Sequence, residues 1–219
     1  MTLPFAELAP LISSASILIG LIVSAFVIVL FPDWRLALYA LTAQYLLSAI
    51  LLVTFVQPSL AIVRAISGAL AAAILYVTMR QNVSHAVDRV ASATAMQHPV
   101  FVVGPGFRLF ALAFVAVSII AIAATTTFFD LSAYVLFGGL WLIALGVLIA
   151  IVSRDVLRLG VGILMLTGGF CILETAVEGS LILYGLLNIA DLLLAVVVAH
   201  LATLPHDETS PRRRRGEAR

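Results

Sequence analysis

Residues 186–201 read LLNIADLLLAVVVAHL, an apolar run that fits a lipid-spanning helix except for one carboxylate, Asp191. An ionisable side chain near the bilayer centre costs about 2.5–3.5 kcal/mol on insertion scales, and it marks an ion or proton path by default. Asp191 lies eleven residues past Ser180, where the run begins, and so near its middle. A carboxyl that takes and releases a proton at that depth would act as a relay. A neutral carboxyl hydrogen-bonded to a neighbouring helix is the structural alternative. Asn188 precedes Asp191 by three residues and shares its helical face. Tyr184, seven before Asp191, lies on that face too, and His200 lies nine beyond it, near the inner end. Tyr184, Asn188, Asp191 and His200 read as a polar file along one helix, with His200 as its mouth or as an interfacial histidine.

Other polar groups fall inside apolar runs. Arg64 lies six residues into its run, about 9 Å deep at the helical rise. Glu174 lies at a similar depth near the end of another run, one turn before the solvated Glu178. Equal depth makes Arg64 and Glu174 an expected pair, or two ends of one water chain, with snorkelling to the interface as the alternative for each. Gln44, Tyr45 and Thr167 also fall within runs. Gly160, Gly162, Gly168 and Gly169 are expected to let their helix approach its neighbours closely.

The elements that must position these residues follow from hydropathy. Of 219 residues, 63% are hydrophobic, and the mean hydropathy is +1.19. The apolar residues come in runs of about twenty, the length that crosses a hydrocarbon core as a helix. The reading is all-α, a single polytopic membrane bundle over 1–205. Its seven spans are placed at about 11–31, 36–56, 58–79, 108–128, 133–153, 157–177 and 180–203. The first run has no basic segment before it and no small-residue cleavage pattern after it, so it reads as a retained span. Short breaks such as FPDWR, VQPS and EGS make successive helices antiparallel neighbours.

Seven spans put all the arginines except Arg64 on one side, which marks that side as cytoplasmic. The N-terminus is then outside. The 206–219 tail, with Arg212 to Arg215, is a basic, disordered cytoplasmic segment suited to anionic lipid. The long connection 80–107 is cytoplasmic. Val83, Ala86, Val87 and Val90 predict a short helix lying along the interface there. RLALYALTAQYLLSAILLVTFVQPSLAIV from Arg35 and RLGVGILMLTGGFCILETAVEGSLILYG from Arg158 suggest that spans 1–3 and 5–7 are two parallel three-helix units.

Several classes are excluded. One cysteine, Cys171, leaves no disulfide framework, four-thiolate zinc site or iron–sulfur cluster on this chain alone. All twelve basic residues are arginine, so no lysine exists to hold a retinal Schiff base. The histidines at 85, 98, 200 and 206 do not face one another at mid-span, which argues against transmembrane haem. No cofactor, no metal and no nucleic-acid partner is expected, and the chain is not an enzyme by itself.

SRDVLRLGVGILMLTGG, a short loop and GLLNIADLLLAVVVAHL together resemble membrane component E of hydrogenase-4. That family is related to the K subunit of NADH–quinone oxidoreductase and the C subunit of multisubunit sodium/proton antiporters. K-type subunits carry buried acids on two successive helices. The resemblance places the last-helix acid at Asp191 and the preceding one at Thr167, where this sequence departs. Glu174, seven residues on along the same face, is the candidate substitute, and Arg154 and Arg158 match the family's basic loop. The resemblance implies a non-redox subunit of a respiratory-type complex in a bacterial or archaeal cytoplasmic membrane, packed among antiporter-like and other membrane subunits. Asp191 would carry the proton or sodium path, with Glu174, Arg64, Asn188, Thr167 and His200 around it. A pure scaffold and an independent small transporter are the alternatives.

Overall fold

The computed structural model describes residues 14–55, 58–90, 104–125 and 132–204. Among them are seven helices and no strand: α1 (Ser14–Leu30), α2 (Trp34–Phe55), α3 (Pro58–Val90), α4 (Pro105–Thr125), α5 (Ala133–Val152), α6 (Val156–Val177) and α7 (Leu181–Thr203). Every expected run is a helix. Five contain stretches long and apolar enough to cross a membrane: Trp34–Val53, Ser59–Gln81, Tyr134–Val152, Val156–Val177 and Leu181–Thr203. The apolar stretches of α1 and α4, Ala15–Leu30 and Gly106–Ile122, are shorter. Large apolar side chains such as Phe110, Phe114, Ile151 and Ile182 turn outward all around the bundle, as a lipid-embedded protein requires.

One expected boundary is corrected. The third run does not end near 79; α3 continues to Val90. The residues expected to form a separate interfacial helix are its last turns. From Ala69 to Val90 there is no glycine or proline, so nothing breaks the backbone ladder. The rest of the expected loop, 91–103, the first residues of the first run and the basic tail lie outside the described residues.

The helices stack in two layers of three. In one, α2 packs between α1 and α3; in the other, α6 packs between α5 and α7. Across the layers, α1 meets α5, α2 meets α6 and α3 meets α7, while α4 packs on α5 and the edge of α1. The two expected three-helix units therefore lie face to face with corresponding helices side by side. Units related by a two-fold axis would instead set α1 against α7.

Glycines fix the register within the layers. A Cβ on Gly146 would come within 2.5 Å of the Gly162 carbonyl, and one on Gly162 within 2.8 Å of the Gly146 carbonyl. Gly139 and Gly169 repeat this contact one heptad away, so α5 and α6 touch backbone to backbone at two places. Both pairs are equidistant from the Arg154 turn. Gly160 receives Val198 of α7, and Gly68 receives the ring of Tyr45 from α2. The α6–α7 turn is closed by Gly179 at φ +61°, whose N–H reaches back to the Glu174 carbonyl, and by Ser180, which caps α7. Its sharpness sets residues an equal number of steps from Gly179 opposite each other. Thr167 and Asp191 are such a pair.

The core is aliphatic, with Leu21, Ala25, Ile28, Leu145, Val161 and Ala195 fully buried, and an aromatic cluster where Trp141 meets Phe26 and Phe137 at 5.9 Å between ring centroids. Two arginines finish α1. Arg158 donates to the carbonyls of Ile28, Phe31 and Asp33, and Arg108 to those of Val29 and Leu30 at 3.2 Å. They satisfy carbonyls that a helix end leaves open and meet the negative end of its dipole. Arg158, expected at the cytoplasmic face, is thus a buried cap 1% exposed.

Candidate functional site

The polar residues of four helices converge between the layers. Arg64 of α3 and Asp191 of α7, 2% and 1% exposed, form an ion pair with Arg64 Nη1 2.7 Å from Asp191 Oδ2. The second carboxylate oxygen, Oδ1, accepts from Thr167 Oγ1 of α6 at 2.5 Å. Tyr45 of α2 donates its hydroxyl to Oδ2 at 3.1 Å. A buried charge is tolerated when it is paired and its remaining lone pairs are bonded, and Asp191 meets both conditions.

Arg64 is held from three sides. Its Nη1 also reaches Asn188 Oδ1 at 3.4 Å, and its guanidinium carbon lies over the Tyr45 ring, 4.3 Å from the centroid. Gly168 supplies the third side: a Cβ there would sit 2.7 Å from Arg64 Nη2, so the absence of a side chain is the room the guanidinium uses. Tyr45 can lie flat against α3 because Gly68, one turn beyond Arg64, has no side chain either.

A second tier steadies Asn188. Ser67 Oγ donates to Asn188 Oδ1 at 2.7 Å, and Asn188 Nδ2 donates to the Tyr184 carbonyl at 2.8 Å. The Tyr184 hydroxyl crosses to the Leu60 carbonyl at 2.8 Å. The crossings Leu60–Tyr184 and Ser67–Asn188 advance together along both chains, so α3 and α7 run parallel and in register. Arg64 reaches one helical turn beyond Asn188 to meet Asp191.

Four of the six residues expected to matter, Asp191, Arg64, Asn188 and Thr167, therefore lie in one hydrogen-bonded group. The other two do not join it. Glu174, buried at the end of α6, receives the Thr175 hydroxyl at 3.4 Å, and the expected Arg64–Glu174 pair does not form. The parallel packing of α3 on α7 gives the arginine instead to Asp191, which was not expected as its partner. His200 is exposed: nine residues at about 100° each place it on the opposite face of α7, so the polar file ends at Asp191. Ser67 was not anticipated, although it stands three residues after Arg64 on the same face.

Beside the pair is a cavity about the size of one water molecule, lined by Gln44, Tyr45, Ser48, Arg64, Met165 and Gly168 among others. Among the described residues no group of histidine, cysteine, aspartate or glutamate is placed to hold a metal ion. Compared with protein-family models, curated proteins and solved structures, the chain matches none.

Proposed function

We propose that this chain is a non-redox membrane subunit that handles protons or sodium ions, with Asp191 as the carrier. The observation that carries the reading is the buried Arg64–Asp191 pair with its Tyr45 and Thr167 bonds. Such a pair has two states. With Asp191 charged, Arg64 is bound to it. With Asp191 protonated, the attraction is gone and the guanidinium is released toward Asn188 and the cavity. A buried charge whose partner can be switched off by one proton is the elementary device of a proton step.

The host is a hydrogenase- or complex-I-like respiratory complex. The resemblance of the α6–α7 stretches to membrane component E of hydrogenase-4 supports it, and Thr167, at the position of the family's second acid, bonds directly to Asp191. Thr167 in place of that acid leaves one carboxylate and one hydroxyl at the centre. In this reading all seven helices span a bacterial or archaeal cytoplasmic membrane, the N-terminus is outside, and the arginine-rich ends face the cytoplasm. Antiporter-like subunits and lipid cover the exposed apolar faces.

A second reading is a scaffold. It is favoured by the completeness of the bonding: Asp191 is engaged by three side chains and would need none to change. The two separate on Asp191→Asn. Proton translocation by inverted membrane vesicles, measured per assembled complex and at equal electron-transfer rate, falls in the variant if Asp191 carries the ion. Unchanged translocation per complex refutes the relay. Proteins co-purifying in mild detergent identify the host; their absence favours an independent transporter.

A further inference from the structure

The cavity beside the ion pair holds polar atoms that the protein leaves unanswered. Gln44 is 3% exposed, and among the described residues neither its Nε2 nor its Oε1 has a hydrogen-bond partner. Arg64 Nε is likewise without one, although both its neighbours in the guanidinium are engaged or closely packed. Gln44, Arg64, Tyr45 and Ser48 all line the cavity. Buried polar groups are almost always satisfied by protein or by ordered water. A water needs a polar site with two to four partners and room for about one sphere of its size, and this cavity offers both. A metal cation is disfavoured by the adjacent guanidinium. An anion is disfavoured because Asp191 already balances that charge. The occupant that fits is neutral and both donates and accepts.

We propose that the cavity binds a water molecule held by Gln44, and that this water exchanges protons with Asp191 through the Tyr45 hydroxyl. The second step rests on the relay reading; the first does not. Tyr45 lines the cavity and donates to Asp191 Oδ2 at 3.1 Å. As a proton arrives at the water, one of its own protons passes to the Tyr45 oxygen and the Tyr45 hydroxyl proton passes to Asp191, in one concerted shift that never leaves the water charged. Water and phenol end as they began, and the carboxyl has gained one proton. Gln44 is a positioning residue, since it holds the water and touches neither Tyr45's proton nor Asp191.

Met165 provides the readout. It lines the same cavity and is 1% exposed, so bulk radicals do not reach it. Brief X-ray radiolysis generates hydroxyl radicals from waters in place, and an adjacent methionine is oxidised. In the purified full chain Met165 should be oxidised despite its burial, and Gln44→Leu, which replaces the amide that holds the water with an apolar group of similar size, should lower that rate several-fold. No oxidation of Met165 in the native chain, or an equal rate in Gln44→Leu, overturns the water site. Tyr45→Phe keeps the ring on Gly68 and beneath Arg64. It should leave Met165 oxidation unchanged while lowering translocation by vesicles several-fold. Full translocation in Tyr45→Phe, with loss in Asp191→Asn, overturns the Tyr45 step and leaves Asp191 as carrier. Full translocation in Asp191→Asn refutes the relay itself, and Met165 oxidation then decides the water site alone.

Discussion

Removing either partner of the Arg64–Asp191 pair should destabilise the bundle, but by unequal amounts. In Asp191→Asn the shape is kept, and an amide oxygen at the Oδ2 position can still accept from Tyr45 and Arg64, but the negative charge that balances Arg64 is gone. Arg64 keeps only neutral partners, the amide, Asn188 Oδ1 at 3.4 Å and the Tyr45 ring at 4.3 Å. A guanidinium cannot shed its charge in a protein. Breaking a buried pair in this sense costs about 3–5 kcal/mol. In Arg64→Met the carboxyl keeps the Thr167 and Tyr45 hydroxyls as donors and can neutralise itself by binding a proton. Its cost is then nearer that of one lost hydrogen-bonding partner plus repacking, about 1–3 kcal/mol. The double variant Arg64→Met with Asp191→Asn removes both charges and should cost only about 3 kcal/mol, less than the sum of the two single variants, since neutral replacements of buried pairs are often tolerated.

The measurement is reversible unfolding of the purified chain in mixed micelles with rising SDS. Tryptophan fluorescence is a suitable signal because Trp141 is only 2% exposed in the aromatic cluster. A double-mutant cycle should return a coupling of about 3 kcal/mol, at the upper end for directly contacting residues. Hydrogen bonds between membrane helices average only about 0.6 kcal/mol, because the unfolded state finds other partners. A coupling at that level, or equal costs for the two single variants, would mean that the charges are not desolvated together and would refute the reasoning.

Two further outcomes follow from the packing. Gly162→Ala places a methyl 2.8 Å from the Gly146 carbonyl, a backbone atom that cannot step aside; overpacking should cost about 1–3 kcal/mol, outweighing alanine's better helix propensity, and thermal dispersal in detergent should occur at a lower temperature. An unchanged or raised midpoint would show that α5 and α6 are not in backbone contact. Arg158→Leu opens the carbonyls of Ile28, Phe31 and Asp33, each costing about 1–3 kcal/mol if left bare, so limited proteolysis should accelerate at 31–35; Arg158→Lys should restore only part of the protection, since an ammonium lacks the planar fork that serves several carbonyls at once.

The helices were legible because each apolar run is bounded by charge or by turn residues; only α3 outran its expected end, for want of a breaker before Val90. The meeting of Thr167 with Asp191 was implicit in the Gly179 turn, from which the two are equidistant. His200 could have been excluded by phase alone. The partner of Arg64 could not have been found that way. Depth counted along Cα positions matched Arg64 to Glu174, but an arginine spans more than a helical turn, and the choice of neighbour depends on which helix lies across the layer. Hydropathy carries no information on that point, because any outward face of an apolar helix can serve as a contact. The Gln44 cavity was equally hidden. An isolated glutamine in a span does not announce whether its amide meets a partner.

The way the layers are joined bears on what the pair is for. At one edge, where α1 meets α5, the contact is Phe26 against Trp141 and aliphatic side chains from both helices. Within a layer, α5 and α6 are held by paired glycines. Both devices give cohesion without desolvating a charge. At the opposite edge, α3 and α7 share apolar contacts of Leu60, Ala61 and Ala65 with Tyr184 and Leu187, and are joined in addition by an ion pair and by an asparagine that needs Ser67 and Arg64 to be satisfied. Replacing a buried pair by apolar residues of similar volume is often neutral or stabilising in soluble proteins. The α3–α7 contact is also parallel and in register, so loss of the Asp191 charge would loosen that edge while the α1–α5 edge and the glycine-locked α5–α6 contact within the layer stay fixed. On the proposed relay reading, protonation of Asp191 changes how α3 sits on α7; in a scaffold the same pair would instead fix the register of the two helices, a role for which buried polar groups are retained.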